Sequence, residues 1–459
     1  MATTYLTRTQ GSPTENKKFT VSCWFQASQV ADEMKLIYSD DNSTNNYTYI
    51  HFSDTSGRIR FQNRNGGSNN TELIWETEIK DFAAFYHLVM AVDSTQTTAS
   101  DRVKFYLNGV QQTVLDSSAN TFPPSDQTFT LNSGGYGVDI GANGFNNNAY
   151  FRGVMSYFAF IDGTQELPGI FGETDSTTGQ WKIKTTITPS VAWGTNGFLI
   201  LVNGNSVTDQ SGQSNDFTVA AGTLTKTQDC PSNNFATMNP LDNYYAGSTF
   251  TNGNLSVSTL TSSDTFNNST LGYATGKYYW ETKNIRVSTN NYNLIGITSK
   301  GSTASNNYMM SSLYSVVLKQ DGVLWQNAGS GSGAVSGWSG SSYTTGDIIG
   351  IAHDATNNKI YIHKNGVYMN SGNPSTGANG ITTTASSLTD TGFWLAAVGD
   401  EISSGTSSQY TLNFGNGYFG TTAVTTNSGN GYAGAEGSSI FNYQPPTGYS
   451  ALSTKGLNV

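Results

Sequence analysis

Residues 85–93 read FYHLVMAVD and residues 102–110 read RVKFYLNGV, and these two segments decide the fold. Each segment has the composition of a β-strand. The first ends in Asp93 at a turn, and the second runs into Asn108-Gly109. Asn-Gly between two strands is the strongest short-range signal of a tight hairpin. The pair therefore predicts antiparallel strands joined by short turns.

The same order of features returns later in the chain. Residues 347–354 read DIIGIAHD and residues 359–367 read KIYIHKNGV, so strand, aspartate turn, strand and Asn-Gly hairpin recur. The aspartate and the asparagine are 15 residues apart in the first copy and 11 in the second, a difference that the polar loop 94–101 can absorb. Two similar sandwiches in tandem is the economical explanation. Chance recurrence of a common hairpin signal is the alternative.

The composition is that of a turn-rich β protein. Charged residues are 12% of the 459 residues, against about 25% in an average domain. Apolar and polar residues alternate throughout, and no dozen residues keep a helical spacing free of Gly, Asn or Ser clusters. We predict an all-β chain with strands at 19–26, 35–38, 47–52, 58–62, 85–92, 102–107, 151–160, 276–282, 293–298, 315–318, 347–352, 359–363, 393–398 and 410–414.

The charge balance restricts the partners. The formal charge is −10 and the isoelectric point is near 4.8, which argues against nucleic acid, because a phosphate backbone requires clustered Lys and Arg. The longest apolar run, 393–398, is far shorter than the ~18 residues of a membrane span. We expect no membrane insertion and see no export signal at the N-terminus. Cys23 lies in an alternating strand, which favours a buried thiol over a disulfide with Cys230.

Four regions follow from the pattern. We predict one antiparallel β-sandwich over 1–165 and a second over 245–420. Residues 166–244 are a connector that we expect to pack on the first sandwich, and residues 421–459 form a C-terminal tail. Paired prolines at 445–446 give that tail an extended backbone.

Three groups of motifs carry a resemblance that covers nearly the whole chain. The first region contains KFTVSCWF at 18–25 and YHLVMAVD at 86–93, the connector contains DQSGQSNDF at 209–217 and NNFATMNPL at 233–241, and the second contains GKYYWE at 276–281, KNGV at 364–367 and LNFG at 412–415. Together they resemble a family of tailed-phage virion proteins, seen especially among marine phages. That family joins a concanavalin-like (LamG-like) jelly roll to a SPRY domain.

The resemblance implies a component of the virion surface, synthesised in the host cytoplasm. Its partners would be other virion proteins and a host surface glycan or protein, which SPRY domains would contact through loops at one end of the sandwich. A fibre protein of this kind would be a symmetric homo-oligomer, a trimer in most fibres.

Jelly rolls also include glycoside hydrolases, which require two carboxylates about 5 to 9.5 Å apart. The candidate acids are Glu72, Glu76 and Glu78 on a strand edge, and Glu173 with Asp175 in a turn. We interpret the first group as a solvated face and the second as turn caps. The Glu-x-Asp-x-x-Glu pattern of jelly-roll hydrolases is missing from the sequence. The sequence therefore predicts a protein without enzymatic activity.

Metal and ligand sites have weaker signals. LamG-like folds sometimes bind calcium at a sandwich rim, and loop residues Asp93, Asp101, Asp209 and Asp216 are candidate ligands, with turn capping as the alternative. We expect no other cofactor. Aromatic side chains exposed in polar loops are candidates for binding a sugar or a protein surface, and these are Tyr308, Trp325, Trp338 and Tyr343, with a core position as the alternative for Trp325.

These observations predict a non-enzymatic virion surface protein, of the tail or head fibre or receptor-binding type, that recognises a host glycan or protein through its loops. A capsid decoration protein and a glycan depolymerase are the two alternatives.

Overall fold

The fold is all-β, as predicted, and consists of tandem β-sandwiches. The computed structural model describes residues 3–30, 33–202, 204, 206–243, 247–260, 264–287, 292–299, 309–310, 314–327, 332–383, 392–401, 405–424 and 431–458. The chain divides into two compact units, residues 1–226 with 230–232, and residues 227–229 with 233–459.

The first unit contains sixteen strands among its described residues. They are β1 (Tyr5–Thr9), β2 (Lys18–Ala27), β3 (Lys35–Asp40), β4 (Tyr47–Phe52), β5 (Arg58–Asn65), β6 (Ser68–Glu78), β7 (Tyr86–Asp93), β8 (Val103–Leu107), β9 (Val110–Gln112), β10 (Leu115–Thr121), β11 (Gly137–Ile140), β12 (Gly153–Asp162), β13 (Gly172–Thr174), β14 (Trp181–Ile183), β15 (Phe198–Ile200) and β16 (Thr218–Ala221). Single turns of 3-10 helix occur at Ala99–Asp101 and Pro168–Ile170.

Two sheets form the first sandwich. The larger has the order β10-β6-β5-β4-β3-β11-β1-β16 and the smaller has the order β15-β12-β2-β7-β8-β9. Alternate residues of β2, Phe19, Val21, Cys23 and Phe25, face the core between the sheets, where Cys23 is buried as a free thiol, as predicted. Successive side chains of a strand point to opposite faces, so each sheet also has an outer face.

Residues of the predicted connector cover the outer face of the smaller sheet. Phe171, Ile187 and Leu199 pack with Val89 and Ile161 into a second apolar cluster. Strand β15 pairs with β12, and β16 pairs with β1. These connector strands therefore extend both sheets of the first sandwich.

The second unit contains eighteen strands among its described residues. They are β17 (Met238–Asn243), β18 (Thr249–Thr251), β19 (Ser256–Ser258), β20 (Thr265–Tyr273), β21 (Lys277–Arg286), β22 (Asn293–Thr298), β23 (Ser315–Lys319), β24 (Leu324–Asn327), β25 (Ser332–Ala334), β26 (Ile348–Asp354), β27 (Lys359–Lys364), β28 (Val367–Tyr368), β29 (Ile381–Thr382), β30 (Trp394–Asp400), β31 (Gln409–Asn413), β32 (Tyr418–Phe419), β33 (Thr422–Ala423) and β34 (Ser450–Ala451). Short 3-10 turns lie at Met369–Ser371 and Gly456–Asn458.

The second sandwich again has two sheets. One has the order β17-β20-β30-β22-β23-β24-β25, and the other has the path β18-β19-β31-β21-β26-β27-β28, with β29 beside β27. Strand β34 adds to β21 in parallel, with Ala451 opposite Tyr279. Phe441, Tyr449 and Leu452 are buried in the same core as Trp280. Residues 431–458, which we call the C-terminal segment, therefore contribute to the core of this unit.

Among the described residues, no helix is long and apolar enough to cross a membrane.

Candidate functional site

A column of adjacent aromatic rings lies on the outer face of the larger sheet of the first unit. Tyr47, Tyr49 and His51 are alternate residues of β4 and therefore share one face. The rings of Tyr47 and Tyr49 are 5.3 Å apart and 15° from parallel, and the Tyr49 and His51 rings are 4.4 Å apart. Tyr38 of β3 joins the column, with its ring 6.4 Å from that of Tyr49. We call Tyr38, Tyr47, Tyr49 and His51 the tyrosine column.

A buried lysine closes one end of the tyrosine column. Lys35 Nζ lies 4.0 Å from the centre of the Tyr49 ring and 2.9 Å from His51 Nδ1. Burial lowers the pKa of Lys35 to about 8, an effect that Glu33 opposes and Arg60 reinforces. Burial is the main reason that the pKa of His51 lies well below its usual value, and the charges of Lys35 and Arg60 lower it further. His51 is therefore neutral, and its Nδ1 accepts a hydrogen bond from the lysine ammonium.

Charged and amide side chains of the neighbouring strands surround the column. The Tyr49 hydroxyl donates to Gln62 Oε1, and the Arg60 guanidinium pairs with Glu72. The Arg64 guanidinium lies 5.9 Å from the centre of the Tyr47 ring. At Tyr47, Arg60 and Arg64, which are half-buried, the face offers an aromatic ring and hydrogen-bonding groups together, which suits a polyhydroxylated ligand or a polar protein surface.

Two aspartates lie on the same face beside the column. Strands β3 and β11 are antiparallel neighbours, with Asp40 opposite Gly137 and Tyr38 opposite Asp139. This register makes the two aspartates diagonal neighbours, for which a Cα separation of about 7–8 Å is usual. Burial raises the pKa of both carboxyl groups, and the charge of Asp40 adds to the rise at Asp139. Asp139 Oδ2 also accepts a hydrogen bond from the Gly144 N–H at 3.0 Å.

The sequence predicted β3, β4 and β5 of this site but neither β11 nor the site itself. The alternation Tyr47-x-Tyr49-x-His51 was a visible signal for one face of a strand. Nothing in the order of residues places Asp139 next to Tyr38, because their strands are separated by about a hundred residues and meet only in the folded sheet.

The predicted ligand-binding aromatics do not form one exposed site. Tyr343 is only 2% exposed, and its hydroxyl donates to the Asn293 carbonyl oxygen at 2.7 Å, so the prediction that its ring is exposed is wrong. Trp338 is half-buried against the second core and donates from Nε1 to the Gly322 carbonyl oxygen at 2.9 Å. Trp325 is half-buried against a separate small cluster. Tyr308 lies outside the described residues.

The four aspartates proposed for calcium are occupied by other contacts. Asp93 accepts hydrogen bonds from Thr95 and Gln96 and pairs with Lys18 at 3.4 Å. Asp101 pairs with Lys104 at 3.2 Å.

Asp209 and Asp216 are close in space but also cap turns. Asp209 accepts backbone hydrogen bonds from Leu199, Ser211 and Asn215, and Asp216 accepts one from the Asp209 N–H at 2.7 Å. Over the described part of the chain, no three His, Cys, Asp or Glu side chains form a group that could hold a metal ion. Each of the four carboxylates therefore has a contact within the protein, and the calcium site stays a prediction.

The acids proposed for hydrolysis are paired with cations. Glu72 pairs with Arg60, Glu76 lies 3.7 Å from Arg58, and Glu78 lies 2.8 Å from Lys80. In the β13–β14 hairpin, Glu173 and Asp175 both pair with Lys182, and Asp175 also caps the turn. On the outer face of the larger sheet, the acids whose pKa values are raised are Asp40 and Asp139, and the sequence did not indicate either of them as a candidate.

The comparison with protein families bears on the first unit. Residues 1–170 match the Laminin_G_3 model, described as the concanavalin A-like lectin/glucanases superfamily. This superfamily contains both lectins and glucanases, so its fold serves carbohydrate binding and hydrolysis. No curated protein matches the chain.

Similar solved structures include β-sandwich domains with low identity. The SPRY domain of human HERC1 is 15% identical with a TM-score of 0.30, over 38% of this chain and 96% of that domain. A heptameric SAP-like pentraxin from Limulus polyphemus is 17% identical with a TM-score of 0.27, over 36% and 72%. Domain 4 of AbnA, a GH43 arabinanase from Geobacillus stearothermophilus, in complex with arabinotriose, is 15% identical with a TM-score of 0.25, over 33% and 64%.

Proposed function

We propose that the protein is a non-enzymatic component of a tailed-phage virion surface that binds a host surface glycan. The binding surface would be the outer face of the larger sheet in the first unit. The observation that carries the proposal is the tyrosine column with its arginine, glutamine and aspartate neighbours, in a unit whose sequence matches a lectin/glucanase family.

The accessible part of this face suits a sugar chain. Tyr38 and Tyr49 are 3% and 6% exposed, so they form a rigid base more than a contact surface. Tyr5, Tyr47 and Tyr150 are half-buried, so part of each side chain is accessible to solvent. Tyrosine offers a large contact area at low entropic cost, and nearby guanidinium and carboxylate groups can pair with sugar hydroxyls.

The virion assignment depends on the resemblance of the sequence motifs. The low content of charged residues and the abundance of Ser, Thr and Asn fit a displayed surface that resists nonspecific adsorption. Binding of antibody raised against the purified protein to intact particles, seen by negative-stain microscopy, tests this assignment. Label on the tail supports receptor binding, label on the head favours the decoration protein, and particles that carry no label contradict the assignment.

Variants of the face test glycan binding. We expect the full-length protein to be retained on arrayed bacterial surface polysaccharides, and we expect Tyr47→Ala and Arg64→Ala to weaken that retention by about tenfold or more. Phe393→Ala is the matched control, because Phe393 is 50% exposed in the second unit. Retention that is equal in all four proteins would contradict the proposal.

A glycan depolymerase is the second candidate, and Asp40 with Asp139 favours it. A glycoside hydrolase requires two carboxyl groups about 5 to 9.5 Å apart, one of which stays protonated as the general acid. Asp40 and Asp139 are diagonal neighbours on one face, and burial raises the pKa of both. If this function is correct, the protein releases reducing ends from the polysaccharide it binds, and Asp40→Asn and Asp139→Asn abolish release while retention persists. Retention without release supports the binding function.

A further inference from the structure

The second unit contains a cavity that the proposed glycan face does not use. Its volume is about 380 Å³, within the range of small-molecule sites. Its lining comes from the β27–β28 hairpin and from the C-terminal segment, namely His363, Gly366, Tyr368, Tyr432, Asn442, Tyr443 and Gln444. We call it the C-terminal pocket.

A buried carboxylate fixes the wall that the C-terminal segment contributes. Glu281 is fully buried, and its Oε1 accepts hydrogen bonds from the Tyr443 N–H at 2.7 Å and the Tyr279 hydroxyl at 3.0 Å. Its Oε2 accepts from the Asn442 N–H at 2.9 Å and Asn413 Nδ2 at 3.3 Å. Because two adjacent backbone N–H groups are held by one carboxylate, the side chains of Asn442 and Tyr443 keep a defined position.

The floor of the pocket is equally fixed. His363 Nδ1 accepts a hydrogen bond from the Gly366 N–H at 3.1 Å, so Nε2 carries the proton and donates to the Tyr279 hydroxyl at 2.7 Å. The rings of Tyr368 and Tyr443 meet the His363 ring edge to face, at 5.3 and 5.2 Å. Both imidazole nitrogens are therefore occupied, and the floor is a rigid aromatic surface.

The lining restricts the chemistry of a ligand. Among the described residues, the lining contains three tyrosines, an asparagine and a glutamine but no Lys, Arg, Asp or Glu. A charged ligand would lose hydration without an opposite charge at the lining. An apolar ligand would leave the amide groups unpaired. Rings with adjacent amide side chains suit a neutral molecule that has both an apolar ring face and several hydroxyl groups.

We propose that the C-terminal pocket binds one neutral pyranose unit of a glycan. Tyr443 would contact the ring face, and the Tyr432 hydroxyl and the amides of Asn442 and Gln444 would pair with the hydroxyl groups of the sugar. The pocket lies wholly within the second unit, so this proposal does not depend on glycan binding by the first unit.

Saturation-transfer NMR on the full-length protein tests the proposal. The probes are the methyl pyranosides of glucose, galactose, mannose and N-acetylglucosamine. We expect saturation transfer to at least one of them. We expect Asn442→Leu and Tyr432→Phe to weaken its binding about three- to tenfold, as for the loss of one hydrogen bond. Asn442→Leu keeps the backbone N–H that Glu281 binds, so the wall should remain in place.

The controls separate this site from the first unit. Tyr418→Phe removes a hydroxyl of the second unit that does not line the pocket, and it should leave binding unchanged. Tyr47→Ala, on the glycan face, should also leave pyranoside binding unchanged. The proposal is wrong if no pyranoside receives saturation, if the two pocket variants bind as the parent does, or if Tyr47→Ala alone removes the signal.

Discussion

The buried tyrosines of the second unit differ in what their hydroxyl groups contact. The Tyr343 hydroxyl donates to the Asn293 carbonyl oxygen at 2.7 Å and also lies 3.4 Å from the Leu318 carbonyl oxygen. Tyr449 is completely buried, and its hydroxyl finds no hydrogen-bond partner in the described structure. A buried hydroxyl without a partner loses its hydration and gains nothing in exchange.

This contrast predicts opposite effects of the same substitution. Tyr343→Phe should lower the free energy of unfolding by about 1–2 kcal/mol, because it leaves a buried carbonyl oxygen without its donor. Tyr449→Phe should leave that free energy unchanged or raise it by about 1 kcal/mol, because it removes an unsatisfied polar group. Urea unfolding of the two variants and the parent, followed by tryptophan fluorescence, measures the difference. Equal loss in both variants would show that Tyr449 has a partner.

Glu281 determines the position of the C-terminal segment because each of its carboxylate oxygens accepts a hydrogen bond from one backbone N–H of that segment. Either orientation of a glutamine amide at this position would place its NH2 group against a backbone N–H, of Tyr443 or of Asn442. Glu281→Gln should therefore release the segment and make residues 431–458 sensitive to limited proteolysis. Glu401→Gln is the control, since Glu401 follows β30, away from these two N–H groups. A segment that stays protected in Glu281→Gln would contradict this role of the carboxylate.

At the scale of elements, the two units repeat one arrangement of four strands. In β2-β7-β8-β9 and in β21-β26-β27-β28, the first strand begins with a lysine that pairs with the aspartate ending the second. The pairs are Lys18–Asp93 at 3.4 Å and Lys277–Asp354 at 3.1 Å. Asn108 and Asn365 both have positive φ. The side-chain oxygen of each also accepts a hydrogen bond from a backbone N–H near the start of the second of the four strands, that of His87 in β7 or Ile348 in β26.

This repeat also explains why an aspartate stands at position 93, which was one of the candidate calcium ligands. Asp354 caps its turn through the Asn357 N–H, as Asp93 does through the Thr95 N–H. The aspartate turn in the sequence therefore indicated a structural feature common to both units. The observed strands agree with the interpretation of the echo as two similar sandwiches.

Alternation predicted the strands whose buried residues are apolar. The bounds of β4 and β22 agree with the prediction at both ends, 47–52 and 293–298. Strand β20 was missed because Asn267, Asn268 and Ser269 are all buried in it. Polar residues in a buried strand give no hydropathic signal, since hydrogen bonds compensate their burial only in the folded protein. The pairing of β3 with β11, which builds the candidate site, is equally invisible in the sequence.

A pair of hairpin glycines tests how the β13–β14 hairpin packs on the first sandwich. Gly109 has φ of +78°, and a Cβ there would come within 2.5 Å of the Trp181 ring. Gly66 has φ of +59° in the β5–β6 turn, with open space around it. Gly66→Ala should cost about 1 kcal/mol from backbone strain alone. Gly109→Ala should lower the free energy of unfolding by about 1–3 kcal/mol more than Gly66→Ala does, because the Trp181 ring must move.

Thermal unfolding of both glycine variants measures this difference. A similar loss of Tm in Gly109→Ala and Gly66→Ala would mean that Trp181 does not rest on the hairpin. Trp181→Ala combined with Gly109→Ala gives a further check, since the added cost of the alanine should disappear when the ring is absent.

At the scale of the whole molecule, the two units have different titrating groups in their interiors. In the second unit, burial raises the pKa of Glu281 to about 7 and that of Asp400 to about 6. In the first unit, burial lowers the pKa of Lys35 to about 8 and that of His87 to about 3. A raised carboxyl pKa means that the folded state binds protons more tightly than the unfolded state, and a lowered lysine or histidine pKa means the reverse.

These pKa shifts predict opposite changes in the stability of the two units between pH 8 and pH 6.5. As the pH falls, Glu281 and Asp229 take up protons in the folded state, because burial raises the pKa of each to about 7. His353 and His363, which stay neutral when folded, oppose this effect, so the second unit should gain about 1 kcal/mol of stability. Lys35 is less protonated in the folded than in the unfolded state near pH 8, so the first unit should lose stability or stay level. Below pH 6.5 both units should lose stability, since His87, His353 and His363 remain neutral only when folded. Calorimetry at pH 8, 7, 6.5 and 5.5 resolves the transitions, and Glu281→Gln should reduce the gain. A second-unit transition that falls steadily from pH 8 would show that Glu281 is ionised at an ordinary pKa.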